Sequence, residues 1–135
     1  MLTYLIDDDP VSLFLTEQML QLGGFPPLIL SFSGVEEALA YLLPRIAIES
    51  PQVIFLDLNM PVMNGWVFLD ALAPHTAALQ DHCCIYLLTS SLALTDTALA
   101  SAHKLVSGII RKPLDEDEVS TILTEHSSSR KEDQR

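Results

Sequence analysis

Three aspartates, Asp7, Asp8 and Asp57, stand where their carboxylates could act together. Asp7–Asp9 directly follow a short apolar run, and Asp57 interrupts an apolar run at residues 53–58. Carboxylates held in one crevice repel one another unless a cation binds between them. Oxygen ligands with open coordination positions suit Mg²⁺, which keeps several waters and takes only one or two carboxylates. The pattern indicates a magnesium site that includes Asp7, Asp8 and Asp57.

Hydroxyl and ammonium groups follow two further apolar runs. Thr89 and Ser90 follow the fourth run of the chain, and Lys112 follows the fifth. A hydroxyl and an ammonium can both contact the oxygens of a phosphoryl group that also contacts the metal. In that arrangement Asp57 is a nucleophile for in-line attack on phosphorus, through a transition state stabilised mainly by positioning and charge.

The elements that must position these residues alternate between strands and helices. Short apolar runs predict strands at residues 2–6, 28–32, 52–56, 84–88 and 106–110. Capping residues, prolines and glycines between them predict helices. Alternating strands and helices form a parallel sheet covered on both faces, with its functional crevice at the carboxyl ends of the strands. The predicted class is α/β, with a doubly wound five-stranded parallel sheet.

The predicted helices have recognisable starts and stops. The first begins at Asp9-Pro10, where Asp9 is the N-cap, and it ends at Gly23-Gly24. Its apolar residues recur every three to four positions, which predicts an amphipathic helix: Val11, Phe14, Leu15, Met19 and Leu22. The later helices are predicted to begin at Ser33, at Asn64-Gly65, near residue 95 and at Asp115.

The composition indicates one soluble domain. The 135 residues are 49% hydrophobic and 19% charged, which suffices for a core without disulfides. No apolar run reaches the roughly 18 residues of a membrane helix, and no secretory signal pattern opens the chain. Cys83 and Cys84 are adjacent, which favours a reducing, cytoplasmic location over a disulfide framework. Residues 1–126 are predicted as the domain and residues 127–135 as a disordered polar tail.

The charge excludes one class of partner. Eighteen acidic and seven basic residues give a formal net charge of −11. Before residue 130 the lysines and arginines are Arg45, Lys104, Arg111 and Lys112. Because nucleic acids are bound mainly through Lys and Arg that neutralise phosphates, binding to nucleic acid or to an anionic membrane is not expected. Cations and basic proteins fit this charge, and the acidic segment 115–118 is a candidate contact for a basic partner.

The four motifs together resemble the receiver domain of two-component response regulators. They are Asp7-Asp8, the segment DLNMPVMNG beginning at Asp57, LLTSS around Thr89, and RKP ending at Pro113. The resemblance covers residue 2 to about residue 125, so it implies that the predicted domain is a receiver domain. It implies a flavodoxin-like (βα)5 fold with strand order 2-1-3-4-5.

The resemblance implies that Asp57 accepts a phosphoryl group from a histidine kinase or a histidine phosphotransfer protein. It also implies that Mg²⁺ is held by Asp7, Asp8, Asp57 and the backbone carbonyl of Asn59. The expected protein is a stand-alone receiver in a phosphorelay, a monomer or weak dimer that signals by contact with a downstream effector protein. It is not expected to be an enzyme beyond catalysing its own phosphorylation and dephosphorylation.

The resemblance assigns signal transmission to Thr89, Ser90, Ile109 and Lys112, with Thr89 and Lys112 moving toward the phosphoryl group. One position departs from the family pattern, which usually has Tyr or Phe three residues before the lysine. Ile109 stands there, and an aliphatic side chain cannot supply the same aromatic switch. The hypothesis is that the signal passes instead through displacement of residues 90–94 and the helix that follows them.

Two other functions fit parts of the pattern. A pseudo-receiver would bind partners without phosphorylation; Ile109 favours it, whereas the acidic set and Lys112 disfavour it. A phosphatase with an aspartyl-phosphate intermediate, similar to the haloacid dehalogenases, would need a second aspartate two residues after the nucleophile. Asn59 stands at that position and cannot transfer a proton at neutral pH.

Overall fold

Five strands of the chain pair in parallel into one sheet. A computed structural model of the protein describes residues 2–26, 28–58, 65–89 and 103–133, with side chains as far as residue 125. The strands are β1 (Thr3–Ile6), β2 (Ile29–Phe32), β3 (Val53–Asp57), β4 (Cys84–Thr89) and β5 (Val106–Arg111). Their order is β2-β1-β3-β4-β5. This confirms the predicted α/β class and strand order.

Helices lie between the strands and after the last one within the described residues. They are α1 (Pro10–Leu22), α2 (Val35–Leu42), α3 (Gly65–Leu72), the single turn α4 (Thr76–Leu79) and α5 (Glu116–Asp133). Short 3₁₀ turns follow α2 at Leu43–Arg45 and α3 at Ala73–His75. The start of α3 at Gly65 agrees with the predicted helix there. The helix predicted at residues 95–104 falls largely outside the described residues.

Both faces of the sheet are buried. Successive side chains of a strand point to opposite faces, and helices cover each face. One face carries Tyr4, Ile54 and Leu87 and packs against α2 and α3. The other carries Leu5 and Phe55 and packs against α1 and α5. In β3 every residue is buried, from the apolar run that begins at Val53 to Asp57 at its end, as this arrangement requires.

The ends of α1 are formed by the residues that the sequence indicates. The Asp9 carboxylate accepts a hydrogen bond of 3.0 Å from the backbone N–H of Val11, and Pro10 occupies the first helical position. The chain leaves the helix through Gly23 and through Gly24, whose φ of 97° favours glycine. A Cβ at Gly23 would collide with the side chain of Val119, so glycine also allows α1 to approach α5 closely.

The apolar spacing of α1 identifies the helix but not the face that packs on the sheet. Leu20 is fully buried, and Leu13 and Met19 are partly buried against the core. Four other apolar side chains lie on a single exposed arc and are 60–71% exposed: Val11, Phe14, Leu15 and Leu22. We call these four residues the α1 apolar stripe. Only Met19 of the sequence-based apolar set contributes to the core.

The last helix continues beyond the core. Val119 and Ile122 of α5 are buried against the sheet, while its backbone is helical as far as Asp133. The helix therefore extends into residues 127–135, for which the composition predicts a disordered tail, and the domain boundary at residue 126 stays a prediction. No helix among the described residues combines the length and the apolar composition that crossing a membrane requires.

Candidate functional site

The parallel register brings the ends of neighbouring strands to one edge of the sheet. Asp57, the last residue of β3, pairs with Leu88 of β4, and Thr89 pairs with Arg111 of β5. The ladder continues one residue further, since the backbone N–H of Lys112 donates to the carbonyl of Thr89 at 2.8 Å. Asp57, Thr89 and Lys112 therefore meet at the carboxyl edge, as the predicted topology requires.

Three carboxylates and one ammonium form the acidic crevice, which consists of Asp7, Asp8, Asp57 and Lys112. Asp7, Asp8 and Asp57 each offer an oxygen, and these oxygens all lie within 4.8 Å of one another. Asp7 and Asp57 are only 4% exposed, whereas Asp8 is exposed to solvent. Negative charge is thus concentrated where little water can stabilise it, and a bound cation would relieve that repulsion.

Lys112 provides the positive charge of the crevice. Its Nζ lies 2.7 Å from Oδ2 of Asp7 and 3.6 Å from Oδ2 of Asp57. The same Nζ donates a hydrogen bond of 3.0 Å to the hydroxyl of Ser12 in the first turn of α1. In this state the ammonium is bound most closely to Asp7, and Asp57 is its more distant partner.

The hydrogen bonds of Asp7 favour its charged form. Burial opposes ionisation, but hydrogen bonds from Lys112, Ser12 and the backbone N–H of Asp9 outweigh it, together with the charge of Lys112. These contacts hold the pKa of Asp7 below its usual value of 3.8. Asp7 is therefore ionised at neutral pH and contributes a full negative charge to the crevice.

Ser12 is a member of the site that the sequence reasoning missed. Its hydroxyl accepts from Lys112 and donates to Asp7, so it contacts both charged groups. The available signal was a hydroxyl in the first turn of the helix that directly follows the aspartates. Such a residue faces the strand ends only if the helix starts at Pro10, which the capping residue already predicted.

The remaining predicted residues differ in how far they can be placed. Thr89 is fully buried at the end of β4, next to the residue that pairs with Asp57. Ile109 of β5 pairs with Leu87 of β4. It is partly buried against the core on the face of the sheet that packs on α2 and α3, to which Leu87 belongs. Asn59 and Ser90 lie outside the described residues.

The start of α3 supports the backbone of Asp57 from behind. A Cβ at Gly65 would lie 3.0 Å from the carbonyl oxygen of Asp57 and 3.0 Å from a methyl carbon of Leu58. Contacts of that length are tighter than side-chain carbons normally make, so glycine allows α3 to begin directly against β3. The position of the carboxylate therefore depends on the packing of this helix start as well as on the strand.

The donor set fits a small divalent cation. All three carboxylates supply oxygen, and with Lys112 they leave two net negative charges to be neutralised. Mg²⁺ prefers such ligands and keeps waters that a phosphoryl oxygen can replace. The crevice therefore has the charge and the oxygen ligands to hold a dication, with the Lys112 ammonium beside them.

Comparison with known proteins identifies the domain that the sequence motifs resemble. The family model for the response regulator receiver domain matches residues 3–124. The chain resembles a two-component response regulator from Cytophaga hutchinsonii, with 29% identity, a TM-score of 0.83 and coverage of 91% of this chain and 93% of that chain. A two-component response regulator from Legionella pneumophila is 26% identical, with a TM-score of 0.79 and coverage of 95% and 98%.

The fold is also shared with chemotaxis protein CheY4 of Vibrio cholerae, which is 24% identical, has a TM-score of 0.72, and aligns over 93% of this chain and 98% of that chain. No curated protein sequence matches the chain. These structures share the fold of this chain, and each alignment covers at least 91% of both chains.

Proposed function

Because the chain belongs to the response regulator receiver domain family, we propose that it accepts a phosphoryl group on Asp57 from a phosphohistidine of a histidine kinase or histidine phosphotransfer protein. The observation that carries this proposal is the convergence of three carboxylate oxygens within 4.8 Å, with Lys112 reaching both Asp7 and Asp57. An arrangement that served only to cap loops would not bury two of these carboxylates.

In the proposed transfer an oxygen of Asp57 attacks the phosphorus as the phosphorus–nitrogen bond of the phosphohistidine breaks. The leaving imidazole takes up a proton, and the product is an aspartyl phosphate. Asp7, Asp8, Asp57 and the backbone carbonyl of Asn59 would hold Mg²⁺, which supplies charge neutralisation for the phosphoryl oxygens. Because Lys112 is already 3.6 Å from Asp57, a short movement of its ammonium brings it to a phosphoryl oxygen.

The contact with the phosphoryl donor is proposed to include the α1 apolar stripe. Ser12 contacts Lys112, so the start of α1 borders the crevice, and the neighbouring side chains of Val11, Phe14 and Leu15 are 60–64% exposed. A protein that brings a phosphohistidine to Asp57 must cover this surface, and apolar side chains there favour a close contact. The Phe14→Asp substitution should leave labelling by a small phosphodonor unchanged and abolish transfer from any phosphohistidine protein that labels the unmodified chain.

Transmission of the signal is proposed to begin at Thr89 and Lys112, with Ser90 and Ile109 as the next residues. The backbone N–H of Lys112 donates to the carbonyl of Thr89, so a movement of one segment is passed directly to the other. Ile109 is partly buried against the core, and it supplies no aromatic ring. The output is proposed to be a change in binding to a downstream effector protein, with the domain catalysing only its own phosphorylation and dephosphorylation.

Labelling with a small phosphodonor tests this function. The chain is incubated with acetyl phosphate and Mg²⁺, and a hydroxylamine-sensitive gain of one phosphoryl group is followed by intact-protein mass spectrometry. We expect labelling of the unmodified chain and of the control Asp70→Asn, and none for Asp57→Asn or in the presence of EDTA. No labelling, or equal labelling of Asp57→Asn, would overturn the proposal. Catalytic turnover of p-nitrophenyl phosphate would instead favour the phosphatase.

A further inference from the structure

A groove beside β5 is separate from the acidic crevice. It has a volume of about 350 Å³ and lies between the β5 side of the sheet and α5. Its apolar floor is formed by Tyr86, Gly108, Ile110 and Ile122. Four carboxylate residues of the α5 region form its rim: Asp115, Asp117, Glu118 and Glu125. We call it the β5–α5 groove.

The floor of the groove depends on an irregularity in the pairing of β4 with β5. Ile85 pairs with Val106, but the next pair is Tyr86 with Gly108, so Ser107 is an extra residue. Glycine therefore lies opposite the ring of Tyr86, where a Cβ would be at an ordinary contact distance of 3.6 Å. The missing side chain leaves space above an aromatic ring that is stacked on Phe55.

The rim carries negative charge in fixed positions. Asp115 and Glu118 each accept a hydrogen bond from the other's backbone N–H, at 2.8 Å and 3.1 Å, which holds both side chains at the start of α5. Glu125 accepts a hydrogen bond from the hydroxyl of Tyr86. None of the described residues that line the groove is lysine or arginine. This lining therefore complements a positively charged ligand.

We propose that the β5–α5 groove binds an extended, arginine- or lysine-containing segment of a partner protein. The aliphatic stem of such a side chain packs on the apolar floor while its charged end contacts the rim carboxylates, and arginine is favoured because its planar group binds carboxylates through two hydrogen bonds. β5 is also the edge strand of the described sheet, so its backbone can pair with an extended peptide. The net charge of −11 attracts such a partner over a longer range.

This site goes beyond the proposed function, because none of its lining residues belongs to the acidic crevice. Binding is therefore expected in the unphosphorylated chain and in the Asp57→Asn variant alike. A failure of phosphorylation at Asp57 leaves the groove proposal standing, and a failure of peptide binding leaves the phosphorylation proposal standing.

The test uses a fluorescent hexapeptide of alternating arginine and valine, and a second probe in which citrulline replaces each arginine. Fluorescence anisotropy at low salt measures the affinity of each probe for the unmodified chain. We expect the arginine probe to bind at least about tenfold more tightly than the citrulline probe, because citrulline keeps the shape but not the charge. Equal affinities would overturn the assignment of a cationic ligand.

Variants then separate the groove from the overall charge. Asp117→Asn/Glu125→Gln should weaken binding of the arginine probe about tenfold, whereas Glu49→Gln/Asp70→Asn, with the same change in net charge outside the groove, should alter it less than about twofold. Gly108→Val should weaken binding without changing the charge, because its side chain fills the groove. Equal loss in the two charge variants, or full binding by Gly108→Val, would show that the groove is not the site. Thermal unfolding confirms that each variant is folded.

Discussion

The acidic crevice and the β5–α5 groove both carry several carboxylates, but they differ in burial and in counter-charge. In the crevice two carboxylates are nearly fully buried, their oxygens converge within 4.8 Å, and Lys112 lies between them. On the rim of the groove Asp115, Asp117 and Glu125 are exposed, and no lysine or arginine is among the described lining residues.

The difference decides which kind of cation the chemistry of each region favours. Converging buried oxygens concentrate charge on a point, which suits a small dication that exchanges only part of its water. Carboxylates spread along a helix beside an apolar floor suit a larger organic cation, which gains apolar contact as well as charge. The number of acidic residues in the sequence does not distinguish the two; the register of the strands and the burial of the side chains do.

The largest expected difference between the two regions is in magnesium binding. Asp57→Asn and Asp8→Asn should each weaken Mg²⁺ binding on the order of 100-fold, because each removes one charged oxygen ligand. Asp117→Asn/Glu125→Gln, which neutralises the groove, should leave the affinity within about twofold of the unmodified chain. Isothermal titration calorimetry measures both. If the groove variant weakened binding as much as Asp57→Asn, the distinction between the two regions would be wrong.

Removal of the lysine should have the next largest effect, and only in the crevice. Lys112→Met leaves Asp7 and Asp57 buried without their counter-charge, and we expect a loss of about 2 kcal/mol in the free energy of unfolding in EDTA. This is less than for a fully buried pair, because the Lys112 side chain is 22% exposed. Mg²⁺ should restore much of the loss and should bind more tightly to this variant, since it no longer competes with an ammonium.

Urea unfolding with and without Mg²⁺ measures this effect. The matched control is Lys104→Met, which removes an exposed lysine outside both regions and should change the free energy by no more than about 0.5 kcal/mol. An equal loss for Lys112→Met in both conditions would mean that the lysine stabilises the chain by packing rather than by neutralising the crevice.

The main residues of the crevice could be predicted from the sequence because they follow from one rule. Asp57 is conspicuous within an apolar run, and parallel strands bring Asp7, Asp57, Thr89 and Lys112 to a common edge whatever the details of packing. Each strand boundary either agrees with the prediction or differs from it by one residue. A parallel sheet tolerates such shifts at its edge. The α/β class and strand order were accessible for the same reason.

Other features depend on contacts that periodicity does not report. A spacing of three to four residues identifies α1 as a helix, but Leu20 rather than Phe14 faces the sheet, because the direction of the helix over the sheet selects the buried arc. The groove requires the irregular step that places Gly108 opposite Tyr86, and a single strand sequence does not determine its register with a neighbour. Ser12 joins the site only through its hydrogen bond to Lys112.

Acidic pH should weaken the folded chain through Asp7, a buried group of the crevice. The pKa of Asp7 lies below its usual value of 3.8, so the folded state favours the carboxylate, and its contribution to stability is fully present above that value. The contribution is lost as the pH falls below about 4, through the lowered pKa. Lys112→Met removes two of the causes of the lowering, so its stability should fall less steeply over the same range. Urea unfolding from pH 6 to pH 3, in EDTA, compares the two slopes.

The smallest expected effect belongs to the Ser12 hydroxyl, which contacts both Lys112 and Asp7 beside their direct ion pair. Ser12 accepts from Lys112 and donates to Asp7. None of the described residues that line the groove is lysine or arginine, so no hydroxyl there can contact both charges in this way. Ser12→Ala should lower the free energy of unfolding by about 0.5 to 1 kcal/mol, since water replaces part of a hydrogen bond to the partly exposed ammonium. Ser12→Thr retains the hydroxyl and should recover most of the loss.

The same substitution should also move the ammonium. Without the hydroxyl, Lys112 is held by the carboxylates alone, so it approaches Asp57 more often and competes there with Mg²⁺. We therefore expect Ser12→Ala to bind Mg²⁺ about twofold to fivefold more weakly, within the range of a single neutral hydrogen bond, and Ser12→Thr to bind it normally. A Ser12→Ala variant that lost stability but bound Mg²⁺ with unchanged affinity would show that Ser12 anchors α1 without setting the position of Lys112.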